Sequence, residues 1–600
     1  MWFAEVQQAL KGEVERVSRA LDRQSKSDAN YWKAHLRWEL LERNLGPLET
    51  INIEELQLVR RWLFSNRKGL EWTFFAPLRT LINQYIDAVF TAQHNDLQNT
   101  FIEKIELTRE QCIALVNMPT DARAAALGRT LAWFDQTRQL GAEVAAVRDH
   151  LSGPNAQIVV SDPLIASVLA TEVREVTETV SVSDTVDVPG GRFIPRSRSM
   201  VVRGTATSQG IVSVTTTPNE QVAELALGFD GTVDSTAIGR TGPVTIRMAI
   251  SGSARATKPI YLSPRGIELG ETIVVPKVKS RVTGVSAGAD LIEFIARRRA
   301  EQPESQTLMN RRANSATVEQ LKTKLDQRVA EALAKMESEA SRVQSSLGEF
   351  HELTAPLERE GATPRLEGLQ STRSSIQLNA RAEQRGQFGA AAPCPHYATI
   401  GDVQLRLHVS AFNNMVETIT GGKTLDDKFL MKYAKVLHAE LPLPLMVHAR
   451  SKRWAFFMRR HRPIELVIPQ LNHFDFIVRI EGLEVDGRSI TEPAVATIRY
   501  ELRVDDLGEY ALHRLGDVEL ETELSADIRA LVYEKINAFF GPILNGGGVV
   551  VPEGGVLAPL RRLQSRGIRA EHEWITIAFD VPPEAIDEFR RFRGQPAHQR

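Results

Sequence analysis

The chain has 600 residues, of which 42% are hydrophobic and 25% are charged, a composition typical of proteins that fold around apolar cores. This length exceeds what one hydrophobic core supports, so several domains are expected. The 73 basic and 75 acidic residues give a formal net charge of −2, and this balance argues against a dedicated nucleic-acid-binding protein.

Residues 1–151 are predicted to form a helical region. Apolar residues recur at spacings of three and four residues, the pattern of one helix face, in the stripe Phe3, Val6, Leu10, Val14, Val17 and Leu21. Further helices are predicted over 31–42, 53–64, 80–106, 108–116 and 121–151. The tryptophans of this region alternate with charged residues, which favours a helical core over an aromatic belt at a membrane interface.

A first β unit is predicted over 156–288, after the helical pattern breaks at 152–155. Apolar and polar residues alternate along 244–250 and again along 223–229, which is typical of strands with one buried face. The glycine-containing turn at 239–243 lacks the lysine and hydroxyl residue that end a phosphate-binding loop. We therefore expect a sheet without a nucleotide site.

A helical spacer is predicted over 289–354. Within 317–350 apolar residues recur roughly as heptads. We favour a helix that docks on the rest of the chain, because the stripe is short and imperfect. The alternative is a coiled coil that joins a homo-oligomer or a protein partner. Residues 355–395 are rich in Arg, Gln, Ser, Gly and Ala and are predicted to be a flexible connector.

A second unit, with strands and a helix, is predicted over 396–582. Alternation along 474–480 predicts one of its strands, and Asp486-Gly487 is the sequence of a tight hairpin turn. The unit opens with a strand at 403–410 that runs into a short apolar helix, as the strand at 158–161 does. These matching openings suggest an internal duplication.

Together these elements predict an α+β fold. It has a helical N-terminal region and two mostly antiparallel β units, which are joined by a long helix and the flexible connector. Residues 583–600 are expected to form a C-terminal tail.

A basic and aromatic segment at 450–462 is the most suggestive surface feature of the sequence. Its candidate contact residues are Arg450, Lys452, Arg453, Trp454, Phe456, Phe457, Arg459, Arg460 and Arg462. Such residues bind anionic lipid or another anionic polymer, with rings at the headgroups and cations on phosphates. They also bind single-stranded nucleic acid, which is the weakest of the alternatives. The interpretation we favour is a hairpin with Trp454, Phe456 and Met458 buried and its basic residues solvated.

Residue patterns for catalysis or metal binding are weak. The histidines lack cysteine or carboxylate companions at metal-ligand spacing, and Cys394-Pro395-His396 stands alone. We therefore predict no catalytic residue, no metal and no cofactor.

The compartment depends on the N-terminus. The sequence has no run of roughly 20 apolar residues, which a membrane-spanning helix needs. Residues 1–6 lack the basic and apolar parts of an export signal and begin inside a helical pattern. If Met1 is the true start we expect a cytoplasmic protein; if an upstream signal is missing, we expect an envelope or periplasmic one. The two cysteines, Cys112 and Cys394, exclude a disulfide framework and fit either compartment.

Two resemblances concern the β units. The segments 201–206, 223–229 and 238–246, with Gly239-Arg240-Thr241-Gly242-Pro243-Val244 and the following Lys258-Pro259-Ile260, resemble an uncharacterised β-rich family of large bacterial envelope-associated proteins. The block 463–517 resembles that family's second unit. The family implies no activity and no catalytic residues. The strand, serine and apolar-helix openings are loosely similar to tubular lipid-binding (TULIP-like) domains, in which a curved sheet wraps a helix and leaves an apolar groove.

The leading hypothesis is therefore a non-enzymatic envelope-associated protein that binds or organises lipid or bridges envelope layers. The alternative is a structural scaffold or oligomerising interaction protein without a small ligand. An enzyme of unknown class is third.

Overall fold

The computed structural model describes most of the chain. The described residues are 2–23, 26–65, 67, 69–70, 72–165, 176–188, 198–346, 351–395, 401–436, 442–446, 453–504, 510–545, 563–582 and 584. Within them the fold is α+β, with a helical N-terminal region followed by antiparallel sheets, as the sequence predicted. The predicted tail at 583–600 lies outside these residues except for residue 584.

Helices make up the N-terminal region and recur between the sheets. In chain order they are α1 (Trp2–Asp22), α2 (Lys26–His35), α3 (Trp38–Arg43), α4 (Ile53–Leu63), α5 (Phe75–Gln93), α6 (Leu97–Asn117), α7 (Asp121–Thr137), α8 (Gly141–Leu151), α9 (Asp290–Ala300), α10 (Pro303–Ser346), α11 (His351–Glu360), α12 (Val409–Thr420), α13 (Asp427–Val436) and α14 (Ala526–Phe539). Short 3-10 turns lie at Leu48–Thr50 and Leu443–Leu445.

The strands form antiparallel sheets. In chain order they are β1 (Ala156–Ser161), β2 (Val176–Val188), β3 (Arg198–Thr217), β4 (Ala223–Thr241), β5 (Val244–Ser263), β6 (Gly266–Leu269), β7 (Ile273–Ser286), β8 (Arg365–Ser371), β9 (Ser375–Arg381), β10 (Val403–His408), β11 (Thr424–Asp426), β12 (Trp454–Met458), β13 (Ile464–Val467), β14 (His473–Val485), β15 (Arg488–Ile490), β16 (Ala494–Val504), β17 (Tyr510–Arg514), β18 (Glu519–Thr522), β19 (Ile543–Asn545), β20 (Gln564–Glu571) and β21 (Trp574–Asp580).

The N-terminal helices pack around the stripe that the sequence predicted. The buried residues of α1 are Val6, Leu10, Val14, Val17 and Leu21. The helix predicted over 121–151 divides into α7 and α8, because Arg138 and Leu140 adopt left-handed backbone conformations with φ of 54° and 52°. Such a residue commonly ends a helix, and it is usually a glycine. The break therefore carried no sequence signal.

The strands β2 to β7 form a long sheet that corresponds to the predicted first β unit. The order is β2-β3-β4-β5-β6, and β7 pairs with β5. The helix α10 packs across one face of this sheet. The shared core contains Val212, Phe229, Val233, Ala254, Ala256, Val278, Ala313, Leu321 and Leu325. The described apolar residues of the helix predicted over 317–350 thus face the chain's own sheet, as the favoured interpretation expected.

A central sheet joins the two halves of the chain. Its strand order is β20-β21-β10-β1-β9-β8. Ile158 of β1 lies opposite Leu405 of β10 on one side and opposite Leu378 of β9 on the other. In each half the first strand therefore pairs with the last, β1 with β9 and β10 with β21. The two similar openings lie side by side in this sheet.

The prediction of a flexible connector over 355–395 was wrong. This stretch begins in α11 and then forms β8 and β9. Leu369 and Ile376 are buried in an apolar cluster with residues of β3 and β4. The polar residues Gln377 and Asn379 hydrogen-bond to each other, with 2.8 Å between Nε2 and Oδ1. These strands are short and polar on one face, so their composition resembles that of a linker.

The strands β11 to β19 form the sheet of the second unit. Their order is β11-β12-β14-β16-β17-β19, with β13 and β15 paired to β14 and β18 paired to β16. Buried residues alternate along β14 and β16, and Val478 and Ile498 share a core with α14. Asp486 and Gly487, with φ of 50° and 81°, connect β14 to β15 and confirm the predicted tight turn.

Candidate functional site on the outer face of the long sheet

The aromatic residues of the predicted basic segment lie in the core. Trp454, Phe456 and Met458 occupy alternate positions of β12, and their exposed fractions are 4%, 2% and 2%. Because β12 lies between β11 and β14, these side chains pack inside the second unit. Trp454 and Phe456 are therefore buried, which is what the favoured interpretation of the segment expected.

Arg462 is also buried, with 7% exposure. Its guanidinium donates two hydrogen bonds to the carboxylate of Asp121, the first residue of α7. This arginine is committed to an internal ion pair and cannot contact an external anion in this fold.

The remaining residues of the segment are partly accessible. The exposed cations are Arg453, Arg459 and Arg460, and Phe457 is half-buried. Arg450 and Lys452 lie outside the described residues. Contact with an anionic surface stays a prediction for the accessible group.

A buried polar cluster near the ion pair contains residue types that nucleophilic enzymes use. His408 Nδ1 lies 3.0 Å from Ser410 Oγ, and His408 Nε2 lies 3.4 Å from Glu573 Oε2. His408 and Ser410 are both 0% exposed. Ser410 Oγ also accepts a hydrogen bond from Asn155 Nδ2, and the Trp574 ring lies 5.2 Å from that of His408. Because Ser410 is fully buried, a substrate cannot reach its hydroxyl in this fold. We therefore assign the cluster a structural role.

The interior of the second unit holds a small apolar cavity between α14 and the sheet. Its volume is about 20 Å³. Its lining includes Leu430, Leu445, Trp454, Lys535, Ile536 and Phe540. A space of this size holds roughly one water molecule, whereas ligand pockets measure about 300–1,000 Å³. This cavity is therefore too small to be the apolar groove that the resemblance to tubular lipid-binding domains implies.

The outer face of the long sheet, which points away from α10, is basic. Residues directly opposite one another share a face, and Arg203, Ile238 and Arg247 form such a row across β3, β4 and β5. Ile238 is 42% exposed. The exposed cations of this face are Arg203, Arg240, Arg247, Arg255, Lys277, Lys279 and Arg281. The carboxylates on this face, among the side chains that the structure describes, are Glu224, Asp230, Asp234 and Glu268. Positive charge is therefore in excess.

The helix α9 lies at one end of this sheet. It follows β7 where β7 ends beside the turn between β4 and β5, and it packs on β5 and β7. Its outward side chains are apolar: Leu291 is 71% exposed, Phe294 61% and Ile295 45%. Arg298 is exposed on the same side, given about 100° of rotation per residue. This end of the sheet thus combines an unpaired apolar helix face with arginines.

The sequence predicted helical structure over 289–354, which includes α9, but it did not predict the exposed face of α9. Apolar residues followed by Arg297, Arg298 and Arg299 were the available signal. Periodicity shows that a helix has an apolar side, but not whether another element covers that side. In the described part of the chain, no helix combines the length and apolar character that crossing a bilayer requires. The described residues also include no group of histidine, cysteine and carboxylate side chains that could hold a metal ion.

The fold is therefore that of an α+β protein whose long sheet has a basic outer face and carries the exposed apolar side of α9 at one end. No family model matches the chain, and no curated protein matches it. Among solved structures, the chain is similar to P47 from Clostridium botulinum A2, with 8% identity. The similarity covers 72% of this chain and 98% of that chain, with a TM-score of 0.23. A likeness this low carries no argument about fold or function.

Proposed function

We propose that this protein is a non-enzymatic, envelope-associated protein that binds or organises lipid by lying on an anionic membrane surface. The observation that carries the proposal is the outward face of α9, where Leu291, Phe294 and Ile295 are exposed beside Arg298. Apolar side chains of this kind enter the boundary between headgroups and acyl chains, while arginines bind phosphates. The basic outer face adds cations at the same end of the sheet.

The expected binding is reversible and needs both components. Full burial of a Leu, Ile or Phe side chain contributes about 1.5–3 kcal/mol, and lipid burial of these half-exposed residues contributes less. Each cation near an anionic leaflet contributes about 1 kcal/mol. We therefore expect binding to anionic vesicles that weakens with salt, and little binding to neutral vesicles.

The architecture is consistent with the resemblances noted in the sequence. Each unit packs a helix, α10 or α14, against a sheet, as tubular lipid-binding domains do. The interior cavity of about 20 Å³ is too small for an acyl chain, so we place lipid contact on the surface. Bridging of two envelope layers would need a second contact surface, for which the exposed Arg453 and Arg459 of the second unit are candidates.

Vesicle co-sedimentation of the full chain tests the proposal. Vesicles of phosphatidylcholine with and without phosphatidylserine are compared at low and high salt. The variant Leu291→Gln/Phe294→Gln should lose binding and keep the wild-type melting temperature, because both side chains are exposed. The matched control is Leu471→Gln, since Leu471 is 53% exposed in the second unit.

Charge variants separate the two components. Arg247→Gln/Arg298→Gln should weaken binding to phosphatidylserine vesicles and reduce its salt dependence. The proposal fails if wild-type protein does not bind anionic vesicles, or if the Leu291→Gln/Phe294→Gln variant binds as well as wild type.

A second candidate function, an oligomerising scaffold, is favoured by α6. This helix exposes Ile102, Ile105, Ile113 and Val116, with exposed fractions of 55%, 37%, 53% and 66%. These four positions are spaced symmetrically about Arg109. An antiparallel second copy of α6 would therefore place Ile105 against Ile113. Sedimentation equilibrium tests this candidate. A concentration-dependent dimer that Ile113→Gln abolishes supports it, and a monomer at all concentrations contradicts it.

A further inference from the structure

A group of cations converges around Glu360, away from α9. Arg60 of α4 donates from Nη2 to Glu360 Oε2 at the end of α11, with 2.5 Å between the atoms. Asn83 accepts a hydrogen bond of 2.6 Å from Arg60 Nε and fixes the guanidinium. The side chains of Arg60 and Glu360 are 30% and 11% exposed, so the pair lies at the edge of solvent.

Lys423 and Arg460 reach the same place from the second unit. The N–H of Met458 donates to the carbonyl of Lys423 over 3.0 Å, and the N–H of Gly422 donates to the carbonyl of Arg459 over 3.3 Å. Lys423 is half-buried and Arg460 is exposed. Both are close enough to Glu360 to be affected by its charge.

Positive charge in this group exceeds negative charge. The positive charge of Arg60 lowers the pKa of both Lys423 and Arg460. The positive charge of Arg61 also lowers the pKa of Arg460. Glu417, the other carboxylate that acts on Arg460, already accepts the backbone N–H of Arg462 and lies 3.4 Å from His461 Nδ1. Glu360 is therefore the principal carboxylate shared by these cations.

Several donors of the group have no partner among the described residues. Lys423 Nζ donates to the carbonyl of Thr418 over 3.0 Å, which leaves two of the three N–H groups of an ammonium. The guanidinium groups of Arg61 and Arg460 make no hydrogen bond or ion pair with the part of the chain that the structure describes. Such donors suit an anion with several acceptor oxygens.

We propose that Lys423, Arg460, Arg60 and Arg61 form a binding site for a phosphate-bearing anion, either a lipid headgroup or a free phosphate group. Arginine and lysine donors recognise phosphate oxygens through charge-assisted hydrogen bonds. Glu360 holds Arg60 in position, and a bound phosphate neutralises the remaining cations. The site is separate from α9 and does not depend on the membrane proposal.

Lys423 provides a direct reporter of occupancy. Burial lowers the pKa of Lys423 to about 8; the charges of Arg359 and Arg60 add to this, and Glu360 opposes it. Its amine is therefore partly unprotonated near neutral pH and reacts with an acylating reagent. A bound phosphate should slow this reaction, because it favours the ammonium form and covers it.

The experiment measures acylation of Lys423 in the full chain by mass spectrometry. One arm adds inorganic phosphate, and the other adds vesicles that contain phosphatidic acid. Lys428, an exposed lysine of α13, is the internal reference. Slower acylation of Lys423 with inorganic phosphate supports a site for a free phosphate group. Slower acylation with vesicles alone supports a headgroup site.

Substitutions test which residues hold the anion. Arg460→Gln and Arg61→Gln should each weaken protection about tenfold without changing the melting temperature. The matched control is Arg488→Gln, at an exposed arginine of β15, in which phosphate should protect Lys423 from acylation as it does in wild type. Glu360→Gln keeps an acceptor for Arg60 but removes the competing charge, so it should strengthen protection. The proposal is overturned if neither inorganic phosphate nor the vesicles slow acylation of Lys423. It is also overturned if the anion protects Lys423 in Arg460→Gln and Arg61→Gln as well as it does in wild type.

Discussion

Arg462 and Asp121 form a buried ion pair across 341 residues of sequence, with 3.1 Å between Arg462 Nη2 and Asp121 Oδ1. Asn413 Nδ2 donates to the same carboxylate over 2.8 Å. Burial alone would raise the pKa of Asp121, but the charge and hydrogen bonds of Arg462, with the hydrogen bond from Asn413, lower it overall. This contact fastens α7 of the helical region to the second unit.

We predict that Asp121→Asn destabilises the protein by about 3–5 kcal/mol, because it leaves a buried guanidinium without a counter-charge. Urea unfolding at neutral pH measures the change. The matched control is Glu519→Gln, which breaks the exposed pair with Arg499 and should cost at most about 1 kcal/mol. Similar small losses in both variants would show that the buried pair does not stabilise the fold.

The same pair predicts a pH dependence. The pKa of Asp121 is lower in the folded protein than its ordinary value of 3.8. Its stabilising contribution is therefore fully present above that value and is lost as pH falls through the folded pKa. The stability difference between wild type and Asp121→Asn should be constant near neutral pH and shrink below about pH 4. A difference that persists unchanged in acid would contradict the assignment of this carboxylate as ionised.

The buried strand β12 predicts a large effect from its aromatic residues. Trp454→Asp/Phe456→Asp should destabilise by more than about 4 kcal/mol, because it places two carboxylates in a core where both rings are nearly inaccessible. Thermal unfolding measures the effect. Arg459→Gln, at an exposed residue just after the strand, should change stability by less than about 0.5 kcal/mol. Unchanged melting together with lost vesicle binding would instead place both rings at a membrane surface.

Local patterns predicted much of the fold. The alternation of apolar residues predicted the strands β4, β5 and β14, and Asp486-Gly487 predicted the tight turn between β14 and β15. The prediction of a flexible connector over 355–395 was wrong because β8 and β9 are short and polar on one face. The prediction of one continuous helix over 121–151 was wrong, because an arginine with a left-handed backbone conformation has no sequence signature. The pairing of β1 with β10 joins strands far apart in sequence, which periodicity cannot reveal.

The candidate sites were harder to predict for the same reason. Arg459, Arg460 and Arg462 look alike in sequence, yet the first two are exposed and the third is buried. Its partner, Asp121, belongs to another region of the chain. The cations around Glu360 come from separate elements, and only tertiary packing brings them together.

Lys423 predicts a second pH dependence, at the alkaline end. Its pKa is lowered from 10.5 to about 8, chiefly by burial. The folded protein therefore binds fewer protons than the unfolded chain between these values, and stability rises with pH across that window. Lys423→Met should remove this rise, whereas Lys428→Met, at an exposed lysine, should keep it. Urea unfolding of the three proteins between about pH 7 and pH 10 measures the slopes. Equal slopes in wild type and Lys423→Met would show that Lys423 is not desolvated, and Lys423 would then lose its value as a reporter of the anion site.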